Sequence, residues 1–216
     1  MKYLQLALWA FAVLWKPKTI TPLDRLRLWR KTMNLFVCFL AFCDNERSYR
    51  QLRGAMLSAL LSALYDYETD WIPSKHLGDS VYLPFLKQEV GTSPAYLPAR
   101  ELFIADLGNR LSADGLERGG TALTVYHALI QSEWMSEYSR EEIALFGAEL
   151  QRVDDFLDRE EDAVMGEKNC LLGERAGAHL IGLRNFLNSP FFQELAFRSR
   201  TYRTFERLLR RSGGEK

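Results

Sequence analysis

From Phe146 to Asp162 the apolar and the acidic residues separate onto neighbouring arcs of a helix, a sorting that a strand, with its period of two, does not produce. Asp154, Asp158 and Asp162 recur at four-residue spacing, and at about 100° per residue Gln151 and Gly147 fall on the same arc. Phe146, Leu150, Val153 and Leu157 lie immediately to one side, so the acid row runs beside a buried stripe. The same periodicity governs the rest of the chain, and no alternating β-branched run bounded by turn signals argues for a strand. The expected fold is therefore all-α, a helical bundle in one domain over residues 1–211 with a polar tail at 212–216.

Punctuation places the helices. An apolar run from Tyr3 to Trp15 is too short to span a bilayer, and it is expected to be an amphipathic or buried first helix with peripheral membrane contact open to it. Pro17 and Pro22 close it. Further helices are expected over about 23–42, 46–70, 81–89, 94–110, 116–138, 139–165, 171–187 and 190–211, with Gly166 closing the acid-bearing one.

Charge and cysteine usage narrow the function classes. The 28 basic and 28 acidic residues cancel, so no overall field favours nucleic acid or an anionic membrane, and any anion site has to be local. Cys38, Cys43 and Cys170 are odd in number and form no CxxC pair, which points to a reducing, cytoplasmic setting. Di-iron bundles need Glu-x-x-His pairs, and none precedes His76, His127 or His179. Phosphate loops, dinucleotide fingerprints and EF-hand loops are equally missing from the sequence.

Two acidic sets carry the chemistry. Asp66 and Asp70 lie one turn apart near the end of the helix over 46–70, where carboxylates oppose the helix dipole unless a cation compensates. Ser62 and Ser58 continue that face among Ala63, Ala59 and Ala55, a stripe that either lines a pocket for a long apolar ligand or packs against another helix. In the second set three like charges on one arc repel by about 0.2–0.5 kcal/mol per adjacent pair, which bound divalent cations would relieve. The other reading is a solvated face with Arg152 and Arg159 as local partners. Lys168, just past the helix, is the first candidate to hold an anion near those metals.

Together these segments resemble the class I isoprenoid synthase superfamily, which includes polyprenyl diphosphate synthases, squalene and phytoene synthases and terpene cyclases. Gln151, Asp154-Asp155, Asp158, Asp162 and Gly166-Glu167-Lys168 look like the second aspartate-rich motif of head-to-tail prenyltransferases. The run from Asp158 to Asp162 is also similar to the DxxxD of squalene and phytoene synthases, and Asp66 to Asp70 occupies the place of the first motif.

The resemblance implies a bundle with both motifs at one mouth of a central cavity and Mg²⁺ bridging Asp66, Asp70, Asp154, Asp158 and Asp162 to a prenyl diphosphate. Lys168, Arg110 and Arg159 would bind the diphosphate, and Ser58, Ser62, Tyr65 and Gln151 would line the cavity. Tyr67, Tyr126, Trp134 and Phe103 are further aromatic candidates. No GKxxRP-like element for a second diphosphate precedes Asp66, so a single-substrate terpene synthase ranks first. A squalene- or phytoene-synthase-like condensing transferase and a non-catalytic helical partner of a synthase, as well as a homodimer, stay open.

Overall fold

The computed structural model describes residues 2–71, 77–107, 115–165, 169–172 and 176–212, which form eleven α-helices joined by short 3-10 and π turns, with no strand among the described residues. The chain divides into two compact units, the first built from Met1–Ala113 and Thr124–Ser139, the second from Asp114–Leu123 and Arg140–Lys216.

In the first unit, α1 (Lys2–Trp15) buries Leu6, Ala10 and Leu14 at i, i+4, i+8, and its outer side also carries apolar residues, Tyr3, Leu4 and Leu8, exposed. No helix among the described residues is long and apolar enough to cross a membrane. Phe11 of α1 stacks on Trp15 and meets Trp29 of α2 (Pro22–Phe39) edge-on at 5.5 Å. Pro22 opens α2 at N1, and the Thr21 hydroxyl accepts from the Asp24 amide as its N-cap.

The central element is α3 (Tyr49–Asp66). A capping box starts it: Ser48 Oγ accepts from the Gln51 amide while Gln51 Oε1 accepts from the Ser48 amide. From Gln51 to Leu64 nearly every side chain is buried, so α3 is apolar all round and is wrapped by its neighbours. α4 (Tyr82–Val90) and α5 (Tyr96–Asp106) follow. α6 (Gly115–Ile130) ends before Gln131, whose φ of 52° turns the chain into a 3-10 turn over Trp134–Glu137.

The second unit contains α7 (Arg140–Leu157), α8 (Arg159–Met165), α9 (Ala176–Leu187), α10 (Pro190–Arg198) and α11 (Arg200–Ser212). Its core is a phenylalanine cluster: Phe146 of α7 stacks on Phe191 of α10 at 4.2 Å, and Phe186 of α9 lies 5.3 Å from Phe192. Gly119 and Gly147 meet where α6 and α7 cross. A Cβ on Gly119 would stand 2.5 Å from the Gly147 carbonyl oxygen, so only glycine permits that approach.

The all-α expectation holds, and several expected helices are shorter or divided. The one over 46–70 leaves α geometry after Asp66 and continues as a π turn over Tyr67–Trp71. The one over 139–165 bends at Asp158 into α7 and α8, and the one over 190–211 breaks at Ser199, whose extended backbone separates α10 from α11. The helix over 116–138 stops at Ile130, and α9 starts at Ala176 rather than Leu171. Periodicity alone carries across such bends, because one or two residues off-helix barely disturb the spacing of the apolar positions.

Candidate functional site

The bend at Asp158 does not break the helical path of the acid row. The Asp158 amide donates to the Asp154 carbonyl at 3.0 Å and the Asp162 amide to the Asp158 carbonyl at 2.8 Å, so i→i−4 bonding continues through it. Asp154 and Asp158 are exposed and Asp162 is half-buried. Asp155, one residue on from Asp154 and therefore about 100° around the helix, points inward and is buried.

Asp155 ties down the segment that follows α8. Its Oδ2 accepts from the Cys170 amide at 2.9 Å and its Oδ1 from Gln151 Nε2 at 3.1 Å. Asn169, itself buried, donates Nδ2 both to the Asp155 carbonyl and, at 2.8 Å, to Asp162 Oδ2, while its Oδ1 accepts from the Leu171 amide. Gln151 is thus engaged by Asp155 and, at 3.3 Å, by Asp154. Arg152 pairs with Glu149 and its guanidinium lies along Gly182, and Arg159 is exposed at the start of α8.

At the end of α3, Asp66 forms an ion pair with Lys31 of α2, both side chains being 33% exposed. Tyr65 donates its hydroxyl to the buried carboxylate of Asp106 at 2.5 Å, and its ring packs edge-on against Tyr82 and Phe103, each at 5.5 Å. Ser62 Oγ donates to the Ser58 carbonyl and shares a 2.5 Å hydrogen bond with the Tyr126 hydroxyl. Ser58 is fully buried and donates back to the Gly54 carbonyl. Gly54 lies against the backbone of Leu129 and Ile130, so this stripe of small residues lets α3 approach the end of α6.

Burial pushes the Tyr126 and Tyr82 phenols upward, and the negative charge of Asp66 adds to both, so these hydroxyls stay protonated beside the carboxylate. The Ser62 hydrogen bond pulls Tyr126 back only in part. Glu68, inside the π turn, is buried and serves the fold: its carboxylate accepts from Ser80 Oγ at 2.6 Å and from the Val81 amide at 2.7 Å, capping the start of α4. Arg110 and Lys168 lie outside the described residues, as does the side chain of Asp70.

Among the described residues no three His, Cys, Asp or Glu side chains form a ready-made metal cage. Mg²⁺ does not need one: it takes one or two carboxylates and fills its remaining positions with water and substrate phosphate. Asp154 and Asp158 offer the hard oxygen donors this requires on an exposed face. Asp162 has one oxygen engaged by Asn169, and Asp66 has Lys31 as its counter-ion.

The spacing of acids does not single out Asp155, Asn169, Lys31 or Asp106, since each acts through a partner distant in sequence or on another arc. The adjacent pair Asp154-Asp155 beside a buried stripe was the available signal that one of the two acids faces inward. No family model, curated protein or solved structure matches this chain.

Proposed function

We propose that this protein is a Mg²⁺-dependent class I terpene synthase that releases diphosphate from a prenyl diphosphate and converts the remaining carbocation to a terpene. The observation that carries this reading is the division of labour on α7 and α8: Asp155 is held inside by Cys170 and Gln151, while Asp154 and Asp158 stand outward on a continuous helical path. An acid row so supported keeps its shape when a highly charged ligand arrives.

In this reading Asp154, Asp158 and Asp162 hold the metal, and Asp66 and Asp70 form the second acidic set. Mg²⁺, when bound, would neutralise the diphosphate and favour its departure. Asn169 orients Asp162, and Gln151 orients Asp154. Lys31 pairs with Asp66 and turns it toward α2. Arg159, exposed at the start of α8, supplies a fork of donors for phosphate oxygens, with Lys168 and Arg110 assigned the same task. Tyr65, Tyr82 and Phe103 pack into one aromatic cluster, and its half-buried member Tyr65 is the candidate to meet a carbocation. Free Cys38, Cys43 and Cys170 accord with a cytoplasmic setting.

The test is turnover of geranyl, farnesyl, geranylgeranyl and geranylfarnesyl diphosphates, each alone, with and without Mg²⁺, following diphosphate and hydrocarbon together. Mg²⁺-dependent release with a terpene from one substrate is expected, abolished in Asp154→Asn/Asp158→Asn. A head-to-head dimer would replace this reading with the condensing transferase. No release, and no stabilisation by Mg²⁺ with inorganic diphosphate, would replace it with the non-catalytic partner.

A further inference from the structure

In a chain of zero net charge, α11 concentrates five arginines and one glutamate in thirteen residues. Arg200, Arg203, Arg207 and Arg210 fall within about 80° of one another at about 100° per residue, forming a basic stripe. The opposite side is committed to the fold: Leu209 is buried, and Tyr202 meets Phe192 of α10 edge-on at 6.3 Å. Glu206 is committed as well, bound by Arg210 and by Gln193 of α10, and Arg210 also reaches Asn188.

Arg200, Arg203 and Arg207 are exposed, and among the described residues none of the three has a carboxylate partner. Phe197, at the end of α10 just before the Ser199 break and three residues before the first arginine of the stripe, is 72% exposed. Leu208 lies on another side of α11, at least about 80° around the helix from each of the four arginines. Guanidinium groups recognise phosphate oxygens as forks, and an arginine stripe that begins next to an exposed phenylalanine suits a surface with phosphates outside and hydrocarbon beneath.

We propose that the arginine face of α11, with Phe197, docks the protein peripherally on an anionic phospholipid surface. Charge complementarity chooses the occupant class: Glu206 is taken up by Arg210, and Arg200, Arg203 and Arg207 have no carboxylate partner among the described residues. Phe197 favours lipid over a duplex or a folded RNA, either of which would offer the arginines phosphates but give Phe197 no hydrocarbon to enter. This docking does not depend on the proposed catalytic activity.

The experiment is co-sedimentation of the full chain with vesicles of phosphatidylcholine alone and of phosphatidylcholine with phosphatidylserine. Binding to the anionic vesicles, release as salt rises from about 0.1 to about 0.5 M, and little binding to the neutral ones are expected. With roughly fivefold in partitioning per arginine, Arg203→Gln/Arg207→Gln should weaken binding roughly 25-fold. Phe197→Ser should weaken binding and leave its salt dependence in place. Circular dichroism melts of both variants verify that they fold, their arginines and Phe197 being exposed. Equal sedimentation with both lipids, none with either, or undiminished binding of the double arginine variant would overturn the proposal. Retention of a single-stranded RNA under conditions where anionic vesicles are not bound would overturn it in favour of a nucleic-acid surface.

Discussion

Asn169 Nδ2 lies 2.8 Å from Asp162 Oδ2 and also donates to the backbone carbonyl of Asp155, so one buried amide fastens the chain after α8 to two points of the acid-bearing helices. Removing that amide leaves the Leu171 donor without its acceptor and frees a carboxylate in a half-buried position. Asn169→Ala should therefore lower unfolding free energy by about 2 kcal/mol, read from urea midpoints at constant slope. A change below about 0.5 kcal/mol would mean that water replaces the tie.

Asp155→Ala should cost more, about 3 kcal/mol, because the Cys170 amide and the Gln151 amide both lose a charged acceptor near the protein interior. Asp154→Ala, on the exposed side of the same helix, should change stability by less than about 0.5 kcal/mol. Parallel denaturation of the two single variants checks the contrast. Equal costs would contradict the division between an inward supporting acid and an outward acid.

Gly147→Ala should destabilise by about 2–3 kcal/mol, since the new methyl would press on the Gly119 carbonyl and on Leu123 Cβ, neither able to retreat without moving a helix. Gly78→Ala, where an added Cβ meets nothing within 4 Å, is the control and should be close to neutral. Thermal melts of both variants distinguish steric crowding from a general cost of replacing glycine.

His127 is held below its ordinary range by burial, so below about pH 6.5 the unfolded chain binds a proton that the folded one resists. Its contribution leaves stability untouched above that pH and lowers it progressively as the pH falls through the folded value. His127→Gln should therefore lose less stability than the parent between pH 7 and pH 5, measured by urea unfolding at each pH. A parent and variant that decline in parallel would remove His127 as a source of acid sensitivity.

Ser62→Phe tests what the small-residue stripe on α3 does. Packing against Tyr126, with the serine hydroxyl bonded to it, leads us to expect a loss of about 1–3 kcal/mol from overpacking. Unchanged stability together with a shift toward shorter prenyl substrates would instead make the stripe a wall of the substrate cavity.

Much of the helical architecture is written in local spacing. The acid row acts within a turn or two of the chain, so reading neighbours suffices there; Pro22, expected to close the first helix, instead opens α2, and the Ser48 cap starts α3 at Tyr49 rather than at 46. Asp66 and Asp70 look like a plain i, i+4 pair in one helix, yet α geometry ends at Asp66 and a π turn carries Asp70. Nothing in the intervening residues forces that change; Glu68 accepting the Val81 amide and the Tyr82 amide accompanies it from elsewhere in the chain.

By itself, then, the sequence determined the all-α class, most helix positions and the alignment of Asp154, Asp158 and Asp162 on one arc, because helical periodicity is a property of neighbouring residues. Tertiary packing alone turns Asp155 inward to Cys170, brings Lys31 to Asp66, and sets the Tyr126 hydroxyl against Ser62 Oγ. Those pairings depend on which helices pack together, and a carboxylate or hydroxyl acquires its charge partner only when a residue distant in the chain is brought beside it.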